Sequence, residues 1–258
     1  MYDTGTRKRA LSLLSQGRSL NSVSKEIGVS RAAIRSWKVR IEPLGYDRAR
    51  PCPRCRDTPS EPDAPAAYSY LLGLYLGDGS ISHQRRGVYS LRIACADAWP
   101  GLIDACAAAI QAVRPDNKVF RVQSVGCQYV TCWSKHWACL FPQHGPGKKH
   151  TRKIALEPWQ QEIVDAHPWE FIRGLIHSDG CRVTNWTTRV VAGERKRYEY
   201  PRYFFSNKSD DIRKLFSDTL DRVGVGWTVL ARNSDPFNIS VARKASVALM
   251  DAHVGPKY

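Results

Sequence analysis

No stretch of the 258 residues approaches the ~18 consecutive apolar side chains of a membrane-spanning helix, and the opening MYDTGTRKRA has no apolar core of the secretory kind. The chain therefore reads as intracellular and soluble, with no membrane partner. Cysteine is present, at eight residues, but the spacing of a disulfide scaffold is missing. Only Cys52 and Cys55 form a CxxC, and the others are scattered through apolar segments, as buried thiols are. What the chain is short of is carboxylate. Twenty-four Asp and Glu stand against 39 Lys and Arg, a formal net charge of +15. An excess of that size favours a polyanionic partner, and nucleic acid is the commonest one. Apolar residues make up 43%, enough for a packed core.

Residues 1–45 carry helical patterning. Ala10, Leu11, Leu13 and Leu14 form one apolar stripe. Ser19 can cap a second helix that turns Leu20, Val23 and Ile27 inward, Gly28 breaks it, and Ser30 can cap a third with Ala33, Ile34 and Trp37 inward. Two short helices joined through a Gly-containing turn predict a small all-α helix-turn-helix domain, whose last helix would enter the major groove by its N-terminal end. That end carries Ser30, Arg31 and Arg35, with Lys38 following, and residues 1–50 hold eleven basic and four acidic side chains. A helical hairpin used only for packing is the competing reading. Residues 46–66 change to Pro and charge with little apolar periodicity, the composition of a linker. Cys52 and Cys55 within it have the spacing of half a zinc site, but no second ligand pair follows, and two unligated thiols are the simpler reading.

The remainder repeats itself. LLGLYLGDG, residues 71–79, matches IRGLIHSDG, residues 172–180, with Asp78 and Asp179 in register. After each comes a polar stretch leading to a strand (YSLRIACA; YPRYFFS), then a helix (GLIDACAAAIQAV; DDIRKLFSDTLDRV). Two more strands and a closing helix complete each half. Element order and aspartates thus repeat together, over 67–150 and 151–258. Within each opening helix Gly73 and Gly77, and Gly174 and Ser178, lie four apart and share a face. Two small residues there let another backbone approach closely, so the two helices are expected to cross along these faces. Gly79 and Gly180 are expected at left-handed C-cap positions, which would put each carboxylate at the negative end of a helix dipole. Two such carboxylates face to face need a cation between them, and oxygen ligands suit Mg²⁺.

Both nonapeptides resemble the signature helices of the LAGLIDADG homing endonucleases, over residues 67–258. The resemblance implies an α+β fold: a pseudo-twofold pair of αββαββα halves in one chain, expected as a monomer, with saddle-shaped antiparallel sheets over the DNA major groove. It implies a site-specific, metal-dependent endonuclease acting on double-stranded DNA, one Asp per strand, in the cytoplasm at the nucleoid. Asp78 and Asp179 would bind the divalent metal at the scissile phosphates, with Gly77 and Ser178 beside them. Many members carry a basic residue per half near the metals. Aligning WSKHWACLF with ARKASVALM makes Lys135 and Lys244 the candidates, phosphate-contacting lysines being the other reading. His177 and Ser178 depart from the commoner acidic and alanine positions of the second motif, and a packed His177 is expected.

Base readout is expected on the sheets, from Arg85, Arg86 and Arg92 in the first half and Arg189, Arg195, Lys196, Arg197 and Arg202 in the second. For each, phosphate contact or a solvated edge is the alternative. Lys148, Lys149, Arg152 and Lys153 in the connector read as charge that positions the DNA backbone. The competing function is a transcription regulator on the same fold that binds without cutting; retention of both motif acids favours the enzyme. A self-splicing intein fits poorly, since Met1 is no nucleophile and the end GPKY lacks His-Asn.

Overall fold

The structure is a computed structural model and describes residues 3–39, 62–232 and 235–258. Cys52 and Cys55 lie outside the described residues. The chain forms two compact units. The first holds three helices: α1 (Thr4–Ser15), α2 (Leu20–Ile27) and α3 (Arg31–Val39). Their starts are set by short polar side chains that accept from otherwise unpaired helix N–H groups. Asp3 accepts from Thr6 N at 2.8 Å, Ser19 from Ser22 N at 3.1 Å, and Ser30 from Ala33 N at 3.3 Å. Gly28 ends α2 at φ +69°, a conformation that suits glycine. Ala10, Val23, Val29, Ile34 and Trp37 form the unit's own core, while Arg31, Arg35 and Lys38 stay exposed along α3.

The second unit is built twice over. Its first half runs α4 (Pro65–Asp78), β1 (Gly79–His83), β2 (Tyr89–Ala96), α5 (Pro100–Val113), β3 (Val119–Ser124), β4 (Cys127–Ser134) and α6 (Trp137–Leu140). After α7 (Pro158–Ala166), the second half runs α8 (Pro168–Asp179), β5 (Gly180–Val191), β6 (Glu194–Ser206), α9 (Asp210–Arg222), β7 (Thr228–Arg232), β8 (Asp235–Val241) and α10 (Lys244–His253). The sheets are antiparallel and identically ordered, β1-β2-β4-β3 and β5-β6-β8-β7. Their registers also correspond, since Gly79 pairs with Ile93 and Gly180 with Phe205. No helix among the described residues is long and apolar enough to cross a membrane.

Two features exceed the sequence reading. The connector between the halves contains α7, started by Pro158 in its first turn and by Gln160, whose Oε1 accepts from Glu157 N at 2.9 Å. The hairpin of β5 and β6 is longer than its apolar residues suggest, 12 and 13 residues. Ala192 and Gly193 turn it with φ of +53° and +83°, the positive pair that a tight two-residue hairpin requires. Its outer stretch carries polar side chains on both faces, so no alternation marks it in the sequence.

The centre of the unit is the crossing of α4 and α8. Nine consecutive residues of α4, Tyr68 to Leu76, are buried, so this helix has no solvent face along that stretch. At the crossing, a Cβ on Gly174 would lie 2.2 Å from the Tyr70 carbonyl oxygen, and one on Gly73 would lie 2.6 Å from that of Phe171. Backbone therefore packs on backbone, and neither position has room for a methyl group. Tyr68, Gln160 and Gln143 satisfy one another beside it: Gln160 Nε2 donates to Tyr68 Oη at 2.6 Å, and Gln143 Nε2 to Gln160 Oε1 at 2.5 Å. We expect Gly174→Ala to lower stability by about 1–3 kcal/mol or more, because the clash is with backbone and cannot be relieved by a rotamer change. Urea unfolding checks this, and a loss within experimental error would show that the helices do not meet here.

Candidate active site

The crossing carries through to the helix ends. A Cβ on Gly77 would lie 2.2 Å from Ser178 Oγ and 3.2 Å from Asp179 Cγ. The last turns of α4 and α8 thus stay in touch, and Asp78 and Asp179 close the two helices side by side. Ser178 Oγ turns back into its own helix, donating to the Gly174 and Leu175 carbonyls at 3.0 Å each. The glycines after the acids depart from expectation. Gly79 (φ −85°) and Gly180 (φ −111°) are extended rather than left-handed, and each is the first residue of a strand. They are glycine for space: a Cβ would stand 2.5 Å from Tyr75 Cα at the first and 2.7 Å from Ile176 Cα at the second. Each strand folds straight back over the last helical turn.

Both acids are held above the ordinary carboxylate range. For Asp78 the causes are the protein packed around it and then the charge of Asp179, although its side chain remains open to solvent on one side. For Asp179 burial again leads, opposed by Asn207, whose Nδ2 donates to Oδ2 at 2.5 Å. By sheet register, the place that Asn207 takes in the second half belongs to Cys95 in the first, and a thiol offers no such amide donor. The two centres are therefore chemically unequal.

Two lysines meet this charge. Lys149 Nζ donates to the carbonyls of Tyr75 (2.5 Å), Gly77 (2.7 Å) and Gly79 (2.9 Å), spending all three ammonium donors on the end of α4. Lys257 Nζ donates to the Ser178 carbonyl at 2.9 Å, at the end of α8. Each cation thus caps a helix C-terminus, where orphan carbonyls and the dipole both favour it. Burial pushes Lys149 down to about 8, the two aspartates opposing, and also lowers Lys257. Lys257 is held by its neighbour: Leu102 N donates to Tyr258 O at 3.3 Å, and the Tyr258 ring covers Gly101, where a Cβ would meet it at 2.0 Å.

Lys257 went unread in the sequence, and Lys149 was read there only as backbone-positioning charge. A partial signal existed: LFPQHGPGKK (140–149) and LMDAHVGPKY (249–258) continue the repeat past the closing helix of each half and put Lys148, one residue before Lys149, opposite Lys257. Lys135 lies in the turn between β4 and α6 and Lys244 opens α10, and the cations whose charge acts on the two acids are Lys149 and Lys257. His177 is buried, its Nδ1 2.9 Å from the Tyr70 hydroxyl, and burial pushes it down to about 4, so it is neutral near pH 7.

The other candidates spread over the sheets. Arg85 and Arg86 are exposed between β1 and β2, Arg92 is exposed on β2, and Lys148 is exposed beside Lys149. Strand pairing puts Arg189, Lys196 and Arg202 on one face of the second sheet and Arg195 and Arg197 on the other. Arg197 is salt-bridged to Glu199 at 2.7 Å and lies 4.9 Å over the Trp186 ring.

The donor set suits a hard cation. No group of three or more His, Cys, Asp or Glu side chains gathers among the described residues, so a metal here would rest on two carboxylates, backbone oxygen and the oxygens of its substrate. Mg²⁺ binds in that way, through one or two carboxylates plus phosphate. The carbonyls of Gly77 and Ser178 already face positive charge, in the form of the two ammonium groups.

No protein-family model matches the sequence, and no curated protein matches it. Solved structures do. Mesophilic variants of the homing endonuclease I-DmoI share 16% identity at a TM-score of 0.50, over 74% of this chain and 92% of that one. I-DmoI in complex with DNA and Mn gives 15% and 0.49, over 75% and 98%, and the N-terminal LAGLIDADG domain of DUF199/WhiA gives 12% and 0.43, over 76% and 87%. The first of these carries the fold: paired four-stranded antiparallel sheets with helices, as in the LAGLIDADG proteins.

The raised acids give a stability test. Protonation of such groups supplies stability that is present at low pH and is lost as the pH climbs through their raised folded-state values. The charge of Asp179 is one of the causes that raise Asp78, so in EDTA Asp78→Asn, which removes one of the two facing carboxylates, should raise the melting temperature. Mg²⁺ should raise that of the unmodified protein and leave the variant unmoved. Thermal unfolding with and without metal checks both arms, and an Mg²⁺ response retained by the variant would detach Asp78 from the cation.

Proposed function

We propose that this protein is a metal-dependent, site-specific endonuclease of double-stranded DNA. The observation that carries this is the pair of carboxylates that the crossed helices bring together, flanked by two lysines, between two open sheets on a strongly basic chain. In this reading Asp78 and Asp179 hold divalent metal, Mg²⁺ by donor chemistry, against the phosphates of the two strands. The metal supplies Lewis acidity and an activated water. The residues do the rest. Asp78 and Asp179 would hold the cation, and Lys149 and Lys257 keep positive charge beside the two carboxylates, where charge builds on phosphate oxygen. Asn207 steadies the Asp179 carboxylate. This assigns to Lys149 and Lys257 the part first considered for Lys135 and Lys244.

The sheets hold the duplex, with Arg85, Arg86, Arg92, Arg189 and Arg202 among the residues that meet it. The N-terminal helices add a second contact through Ser30, Arg31, Arg35 and Lys38, in the manner of a helix-turn-helix. The chain works as a monomer, since its own repeat supplies both halves. Zinc has no part in this mechanism.

The test is a cleavage map. Purified protein is incubated with fragmented genomic DNA and a random duplex library, in Mg²⁺ or EDTA, and the ends are sequenced. Recurrent Mg²⁺-dependent staggered ends at one long sequence are expected. Asp78→Asn and Asp179→Asn should each abolish double-strand cutting while binding persists. Lys257→Met should slow cutting about 10²-fold with binding little changed. Specific binding without ends would instead make the protein a regulator that binds and does not cut.

A further inference from the structure

Residues 254–258, which follow α10, bring Lys257 to the acids without a helix or strand of their own. Gly255 turns the chain away from α10 at φ +71°, its N–H on the Met250 carbonyl at 3.1 Å. Pro256, next in line, has no N–H to give. Beyond Gly255, one backbone hydrogen bond holds this segment among the described residues. It runs from Leu102 N to Tyr258 O at 3.3 Å, and that N–H is shared with Trp99 O at 3.1 Å. Lys149 is fixed more firmly. It opens a short 3₁₀ turn in which Thr151 N and Oγ1 donate to the Lys148 carbonyl at 3.1 and 2.9 Å. Its ammonium has three carbonyls, whereas the described residues give Lys257 that of Ser178 alone.

What remains to hold Lys257 is the ring beside it. The Tyr258 ring lies against the first turn of α5: a Cβ on Gly101 would stand 2.0 Å from its Cδ2 and 2.2 Å from its Cε2, closer than a methyl can come. Gly101 is the second residue of α5 and takes no left-handed conformation. Glycine weakens a helix relative to alanine, so the backbone gives no reason for it there, and room for the ring does. The same ring meets His177 of α8 edge-on, with centroids 6.4 Å apart and planes at 78°. His177 is in turn fixed by Tyr70 of α4, its Nδ1 2.9 Å from the hydroxyl. One ring from the second half thus rests on α5 of the first and on α8, two residues before Asp179.

This placement matters to the site. Lys257 bonds the end of α8, yet the acid whose charge acts on it most is Asp78, at the end of α4. Its ammonium must therefore stand between the two helices, and a neighbour fastened to both halves keeps it there. With the ring displaced, residues 256–258 come free of α5. An ammonium on a loose segment has water as well as the Ser178 carbonyl to bond, and ordering it again costs conformational entropy.

We propose that Tyr258, seated on Gly101 and His177, is the positioning residue for Lys257, so that this lysine stands at the acids only while residues 254–258 are docked on α5 of the first half. This rests on the nuclease reading above and adds what holds the less anchored of its two cations.

The experiment uses the full chain, first without metal or DNA. Amines are acetylated with dilute acetic anhydride, and the rate at each lysine is read by mass spectrometry. Lys257 should label about tenfold faster in Tyr258→Ala and in Gly101→Ala, the scale of one lost charged hydrogen bond, while Lys149 keeps its rate. Tyr258→Phe, which keeps the ring carbons that meet Gly101, should restore the slow rate. Cutting of a duplex found by the cleavage map is then followed in Mg²⁺, and binding in Ca²⁺. Tyr258→Ala should slow cutting about 10²-fold at unchanged affinity. Combined with Lys257→Met it should slow cutting no further than Lys257→Met alone, as residues that act as one unit do. Unaltered labelling of Lys257 in both ring-displacing variants, or a further loss of rate in the double variant, would overturn the inference and leave the nuclease reading in place. An unmodified protein that cuts no duplex would overturn the nuclease reading, and the labelling rates would still decide whether Tyr258 holds Lys257.

Discussion

Everything in the second unit depends on two helices that touch backbone to backbone. Gly73 and Gly174 have no room for a Cβ, and their smallness lets α4 and α8 run in contact to their last turns. A methyl at either place would separate the helix ends and with them Asp78 and Asp179. The sheets leave from those same ends, so the crossing also sets where the open faces stand relative to the acids.

The crossing creates an electrostatic problem that the rest of the site answers. Two carboxylates meet at the negative ends of two helices, and burial holds both above their ordinary range. Lys149 and Lys257 respond, each bonded to the last carbonyls of one helix. Their charge does not remove the strain on the acids, and a divalent cation carries twice the charge of either ammonium. The site therefore fits a metal brought in with a phosphate-bearing partner. Pseudo-symmetry is imperfect at the second layer, where Asn207 supports Asp179 and Cys95 stands at the matching place.

Much of this was legible in the sequence because the repeat is carried by residue size and charge together. Small residues four apart pointed to the helix crossing, and the aspartates in register pointed to the pair. The post-acid glycines differ from the expected left-handed C-caps, the conformation that a glycine just past a helix commonly takes. Here the tight return of each strand demands glycine, a constraint visible only once Tyr75 and Ile176 are in place. Lys257 was missed because the repeat was followed only to the closing helices, and the segments HGPGKK and HVGPKY beyond them have no secondary-structure period to draw attention. The polar hairpin of β5 and β6 hid its length for the same reason.

The most direct test of the account is a crystal structure of the protein with its selected duplex and Mn²⁺, read by anomalous scattering. The account predicts manganese between Asp78 and Asp179, within about 2.0–2.6 Å of oxygens of each carboxylate, the range of hard-cation bonds to oxygen, and also bound to the phosphate backbone. Manganese at another set of residues, with the two aspartates unligated, would contradict it.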